Sequence, residues 1–492
     1  MKYYLGIDLG TSSIKISLGN EKGEIVDSAT RDYPLLLPKI NYSEQNPIDW
    51  YNALIECFKE LKNKHDFKDI QALSFSGQMH GLVLLDENDE VIRPAILWND
   101  SRTIDEVDYL NNVIGKDKLI KETGNIALCG FTAPKILWVK KHEKENFNRI
   151  KKIMLPKDYL AYKLSGVFAS DISDLSGTLF FDVKNRKYSK FMLDILEIDD
   201  TKLPEIRNSF DVIGTIKTSF VEEFGFNSST KVVIGGGDQA VGAIGTNTIK
   251  EGEISISLGT SGVVFGPSKS YTFDKEGEIH SFRHADGNFH LMGCTLSAMA
   301  SLKWFLEDIL ETHDFVKELS NIPEEISEII FLPYLCGERS PINDPNARGI
   351  FANLSSFYKR SDLVKAVLEG IAFSLYDVYC SMEKNGVKAP FARIIGGGTK
   401  SKEVIQLISD VFGLPMHTIS TNDGGALGAI ILAMVGDELY PSVSEASSRL
   451  IKDKDIYLPN EEKHKLYLDK FRKYKELYFK NKNLEAKNEA NF

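Results

Sequence analysis

Four short stretches of this chain carry residue types suited to phosphate chemistry. Asp8-Leu9-Gly10-Thr11-Ser12-Ser13-Ile14-Lys15 places a carboxylate, a glycine turn, three hydroxyls and a lysine between two strand-like runs. The glycine turn lets backbone approach polyphosphate oxygens closely, and Thr11, Ser12 and Ser13 add N–H and O–H donors. Asp8 suits a hydrated Mg²⁺, which takes oxygen ligands, and Lys15 can neutralise phosphate charge. The second stretch, Leu258-Gly259-Thr260-Ser261-Gly262, repeats Leu9-Gly10-Thr11-Ser12 at a separation of 249 residues. Two such loops can clamp one phosphate chain between domains. The third, Gly396-Gly397-Gly398-Thr399-Lys400-Ser401, ends an apolar run in three glycines, so that a helix can begin against a flat adenine or ribose. The fourth, Gly235-Gly236-Gly237-Asp238-Gln239, offers a carboxylate that an incoming hydroxyl can reach without obstruction. Taken singly, the hairpin reads as a plain turn and Asp238 as a helix cap. The second copy of the loop favours the nucleotide-binding reading of the hairpin.

The elements that position these residues read as a duplicated scaffold. Val232–Gly237 and Arg393–Gly398 are both apolar runs ending in three glycines, which pairs them as equivalent strands. On that pairing Gly10 to Gly235 spans 225 residues and Gly259 to Gly396 spans 137, so the first half carries 88 more and is expected to hold more of the specificity site. Strands are expected at Tyr3–Ile7, Ile14–Leu18, Ile25–Asp32 and Ala72–Phe75, with a helix entered at Asn46-Pro47. Three antiparallel strands followed by alternating helices and strands predict a mixed α/β sheet. A C-terminal helix carries Tyr467, Phe471, Tyr474 and Tyr478 at helical spacing, predicted to dock on its own domain, and a charged tail is expected from Lys480.

The remaining composition narrows the class. At 492 residues with a net charge of −11, the chain has room for two or three domains and is a poor match for a nucleic-acid backbone. Hydrophobic residues at 42% and charged residues at 26% are those of a globular protein. The apolar run Ala429–Val435 is too short to span a bilayer, and the N-terminus reaches Asp8 without a signal-peptide core, so no membrane role is expected. Cys57, Cys129, Cys294, Cys336 and Cys380 are scattered without a metal or redox spacing, which fits a reduced, cytoplasmic setting. There is no Gly-x-x-x-x-Gly-Lys-Ser/Thr loop and no protein-kinase catalytic-loop signature.

Two phosphate loops and an adenosine motif on a duplicated scaffold resemble the sugar kinase, heat-shock ATPase and actin superfamily. That implies an α/β chain of two ribonuclease-H-like domains, residues 1–246 and 247–492, with a nucleotide cleft between them. Within it the chain resembles the FGGY carbohydrate kinases, most closely their xylulose kinase branch, from Tyr4 to the C-terminal helix. The resemblance rests on Ser76–Asp86 with Arg93–Arg102, on Gly130–Trp138, on Gly235–Ala240, and on Leu332–Pro341 with Asp344–Gly349. It implies ATP- and Mg²⁺-dependent phosphorylation of D-xylulose to D-xylulose 5-phosphate, with Asp238 as the base and Asp8 at the metal. Met79-His80 matches the sugar-contacting pair, which is Arg-Glu in glycerol kinases. Trp98, with Asn99 and Asp100, is expected to wall the sugar pocket beside Asp238 and Gln239, while Arg339 and Arg348 are expected to hold loops or the domain interface. Thr11, Ser12, Ser13, Lys15, Gly259, Thr260, Gly397 and Gly398 would face the nucleotide. Gln239 stands where many xylulose kinases carry Asn, and Ile342 replaces a common His. The small sugar is the expected partner, and a homodimer is open. A kinase for ribulose, gluconate or glycerol is the alternative, followed by a non-catalytic sugar-responsive regulator. A chaperone-like or filament-forming ATPase is disfavoured because the residues after Lys463 are too few for a peptide-binding domain.

Overall fold

The structure, a computed structural model, describes residues 2–421 and 423–482. In the first half, β1 (Tyr3–Leu9), β2 (Ser13–Asn20) and β3 (Ile25–Asp32) form an antiparallel meander. Helix α1 (Pro47–Lys62) follows, entered where expected: the Asn46 side chain caps it, Pro47 fills the first turn, and Trp50, Leu54, Phe58 and Leu61 are buried. The chain then returns as β4 (Ile70–Gly77), parallel to β1. Nearly every β4 residue is buried, as a central parallel strand covered on both faces requires. Residues 78–230 include α2 (Thr132–His142), α3 (Pro156–Ser165), α4 (Ile172–Leu175) and β5 (Val212–Thr215). They lead to β6 (Lys231–Val233), β7 (Gly236–Gly237) and α5 (Asp238–Gly245). The sheet runs β5-β6-β4-β1-β2-β3, and β7 continues alongside β4.

The second half repeats this plan with β8 (Ile254–Leu258), β9 (Gly262–Ser268), β10 (His280–Arg283) and β11 (Phe289–Thr295). Helix α6 (Arg360–Lys384), β12 (Ala392–Ile395), α7 (Lys402–Phe412), β13 (Met416–Ile419), α8 (Gly424–Gly436), β14 (Asp453–Tyr457) and α9 (Glu461–Asn481) complete it. Its sheet order is β10-β11-β9-β8-β12-β13-β14. The topology corrects the pairing of the glycine runs. Strand β12 lies parallel beside β8 as β4 lies beside β1, so Arg393–Gly398 answers the Leu73–Gly77 segment. Val232–Gly237 answers β13, which lies one strand further out. Three glycines mark a tight strand exit in both places, and that local need, not common position, made the runs look alike. The 88-residue surplus therefore compares spans that are not equivalent: the long stretch of the first half, residues 78–230, follows β4, whereas that of the second half, residues 296–391, precedes β12.

The halves meet through the helices that follow equivalent strands. A Cβ on Gly428 would stand 2.0 Å from the Val241 carbonyl oxygen, and one on Gly245 would stand 2.0 Å from that of Gly424. Only glycine allows α5 and α8 to approach so closely. Helix α8 also lies on the first sheet, where Gly6 faces the Ala426 carbonyl. The C-terminal helix docks as expected. Tyr467, Phe471, Tyr474 and Tyr478 are buried, and the Tyr474 and Tyr334 hydroxyls are 2.8 Å apart. Lys480 ends within this helix, and the tail from residue 483 lies outside the described residues. All five cysteines are free, and no helix of the described residues is long and apolar enough to cross a membrane.

Candidate active site

The register of the first sheet assembles the acidic centre. Asp8 on β1 is directly opposite Lys15 on β2 and Ser76 on β4, so the three side chains share a face. Leu9 pairs with Gly77, and Gly77 with Gly237, which sets Asp238 one residue beyond the same sheet edge. Side chains 230 positions apart in sequence thereby come within each other's field. Burial pushes the Asp238 carboxyl up to about 7, helped by the negative charge of Asp8, while the Gln239 backbone N–H donates to it at 2.8 Å and pulls it down. Burial likewise raises Asp8 to about 6; Asp423 adds to the rise, and Ser76 and Lys15 oppose it.

Met79 and His80 stand against this edge. A Cβ on Gly237 would fall 2.8 Å from Met79 Cγ and 2.9 Å from its sulfur, so Met79 packs on the strand leading into Asp238. His80 has φ +68°, a left-handed backbone that its non-glycine neighbours avoid. Its carbonyl is fixed by the buried Lys135 Nζ at 2.8 Å and the Thr132 hydroxyl at 3.2 Å. Burial holds the imidazole neutral, well below the usual histidine range, with the cationic side chains of Lys135 and Arg339 reinforcing it. Its Nδ1 is buried against Gly177, where an added Cβ would stand 2.0 Å away. Gly177 leaves room for the ring, since a Cβ there would lie 1.9 Å from His80 Cε1. Trp98 gives its indole N–H to the Thr11 hydroxyl at 2.9 Å, and the Arg339 guanidinium lies 5.9 Å from its ring centre. Asn99 is exposed beside it. Asp100 does not face the pocket: it is buried, pairs with Arg102 at 2.6 Å and accepts from the Ser43 N–H at 2.6 Å. Arg348 holds its own loop through the Pro345 and Ala347 carbonyls.

In the two glycine–hydroxyl loops, Ser12 and Thr260 are exposed, and Thr11, Ser13 and Gly259 are half-buried. The Gly259 and Thr260 carbonyls accept from Met299 and Ala298 N–H groups at 3.1 and 3.0 Å, which fixes the second loop. Burial raises the Cys294 thiol; the Arg339 charge opposes the rise, and Glu338 and Asp238 add to it. The glycine turn sits beside the second loop, with Gly398 against the Leu258 side chain, while Gly397 is open to solvent.

Sequence reasoning missed one group. Asp423, at the N-terminus of α8, pairs with Lys15, and the Asp8 carboxylate fits against Gly425, whose Cβ would stand 2.7 Å from Asp8 Oδ2. An Asp-Gly-Gly entry to an apolar helix is a legible cap signal, but its approach to Asp8 is a tertiary event. The donor set at this point is a single partly compensated carboxylate with neighbouring hydroxyls, and it fits a hard, oxygen-seeking divalent cation.

Comparison with known proteins bears on the same residues. The profile of the FGGY family of carbohydrate kinases, N-terminal domain, matches residues 3–245, and that of its C-terminal domain matches residues 254–436. The chain is 37% identical to the xylulose kinase of Staphylococcus xylosus over 97% of its own length and 100% of the relative's. Among solved structures, a ligand-bound xylulose kinase from Lactobacillus acidophilus superposes with a TM-score of 0.93 at 31% identity, covering 98% of both chains. A gluconate kinase from Lactobacillus acidophilus superposes with the same score, identity and coverage. Profiles that together match residues 3–245 and 254–436 establish that the chain belongs to the FGGY family of carbohydrate kinases.

Proposed function

We propose that the protein transfers the terminal phosphoryl group of ATP to D-xylulose, giving D-xylulose 5-phosphate, with Asp238 as general base. The observation that carries this reading is Asp238 itself. It is a carboxylate at a strand exit, raised to about 7 and flanked by Met79 on one side and Asp8 on the other. A base of that affinity is near the optimum for taking a hydroxyl proton at neutral pH, and positioned bases contribute about 10²–10⁴-fold.

In this reading the sugar lies against Met79 and the Trp98 ring, with His80 supplying a hydrogen bond and Gln239 bordering the base. Thr11, Ser12, Ser13, Lys15, Gly259 and Thr260 hold the phosphates, and Gly397 and Gly398 border the adenosine. Asp8 would hold Mg²⁺, which supplies charge neutralisation on the phosphates when bound. Closure of the halves, divided after Thr246, would exclude water as a competing acceptor. The small sugar is the partner on this reading.

Xylulose kinase relatives matching nearly the full length favour xylulose, and the equally similar gluconate kinase makes gluconate the second reading. ADP release measured with xylulose, ribulose, gluconate and glycerol separates them. Xylulose should give the highest kcat/KM, and Asp238→Asn should lose at least about 10²-fold in kcat. Absence of signal with xylulose, or normal turnover by Asp238→Asn, overturns the reading.

A further inference from the structure

Behind Asp238 lies a fully buried group that the family motifs do not explain. Lys157 on α3 and Asp158, Asp171 and Asp174 are all sealed from solvent. The Lys157 ammonium is 2.6 Å from Asp158, 2.9 Å from Asp171 Oδ1 and 3.9 Å from Asp174. Burying one cation among three carboxylates is costly, and such groups persist where their geometry is used.

The geometry points along one line. Asp171 Oδ2 accepts from the Ser173 hydroxyl at 2.5 Å, from the Ser173 N–H at 2.8 Å and from the Ser209 hydroxyl at 2.6 Å. A serine hydroxyl has one proton. With that proton given to Asp171, the Ser173 oxygen turns its lone pair outward, and there it accepts the Gly237 N–H at 3.1 Å. Gly237 is the residue immediately before Asp238 and the N-cap of α5. Gly236 is fitted to the same hydroxyl, since a Cβ on it would stand 2.7 Å from Ser173 Oγ.

We infer that Ser173 is a positioning residue for Asp238: its hydroxyl, oriented by Asp171 and Lys157, anchors the Gly237 amide and so fixes where the base carboxylate stands. This rests on the reading of Asp238 as base. A backbone anchor one residue from the reacting group matters because a misplacement of about 1 Å costs on the order of 10²-fold in rate. Asp174 supports the arrangement. Burial raises its carboxyl well above the usual range, and at 3.9 Å it stands farther from the Lys157 ammonium than Asp158 at 2.6 Å or Asp171 at 2.9 Å.

The test is steady-state kinetics of the full-length Ser173→Ala enzyme with xylulose and ATP, beside Asp238→Asn. The expected result is a fall in kcat of about 10–100-fold with both KM values within about threefold of the parent, because the anchor acts on the reacting group and not on ground-state binding. A kcat within about twofold of the parent overturns the inference. So does a loss carried in KM, which would mark a general loosening of the pocket. Ser173→Cys keeps the volume with a weaker hydrogen bond, so its kcat should fall at least about threefold with unchanged KM. It decides the question by the same criteria if the alanine variant does not fold. A fully active Asp238→Asn enzyme defeats the base assignment itself. An inactive Asp238→Asn with a normal Ser173→Ala defeats only the anchor.

Discussion

Asp238 and Asp8 each hold a proton more tightly than an exposed carboxylate, and the charge of Asp8 adds to the rise of Asp238. Base catalysis needs the ionised form, so kcat/KM for the sugar should fall as pH drops through about 7. A pH–rate profile of the free enzyme reads this directly. Because the negative charge of Asp8 is part of the cause, Asp8→Asn should move that acid limb to lower pH in whatever activity remains; an unmoved limb would separate the two groups. The same shift has a stability consequence. A carboxyl whose folded value lies near 7 and whose unfolded value lies near 3.8 binds more protons when folded, so its contribution falls as pH rises through that window. Asp238→Asn should therefore raise the thermal midpoint of the ligand-free protein at pH 8 by more than at pH 5. Asp238, Met79 and His80 were legible as residue types in recognisable order. Asp423, Ser173 and the buried Lys157 group were not, because each acts through a contact with a distant strand or loop.

Single elements carry the next level of control, and their glycines mark where they touch. The Gly177 turn following α4 leaves no space beside the His80 ring, and a rigid imidazole cannot bend away from an added methyl. Overpacking of this kind costs about 1–3 kcal/mol. Gly177→Ala should raise the sugar KM by about tenfold while leaving the ATP KM near its parent value, since the nucleotide loops are elsewhere. Equal rises in both would assign Gly177 to the general fold. Helix α1 and the β1–β2–β3 meander followed from caps, turns and alternation, which are local properties. The equivalence of the two glycine runs did not. Local sequence reports that a strand must exit tightly, whereas the neighbour it pairs with is fixed only by the parallel ladder β1–β4 or β8–β12.

At the scale of the whole molecule, the two sheets are joined by α5 and α8 in contact so close that backbone meets backbone. A methyl at position 428 would strike the Val241 carbonyl, which cannot move without shifting α5 and Asp238 at its start. Gly428→Ala should lower the thermal midpoint by several degrees and lower kcat together with it; an unchanged midpoint in a thermal melt would argue against this contact. The α/β plan and the glycine–hydroxyl loops were legible in the sequence because strand exits and turns need particular residue types; Asp238 and Met79-His80 stood out only through the family resemblance. Folding then brought Asp8 and Asp238 to one sheet edge, laid α8 from the second half on the first sheet against Asp8, and set Ser173 against Gly237. Such contacts are set by strand register and helix packing between segments hundreds of residues apart, and no local pattern encodes which partner will arrive.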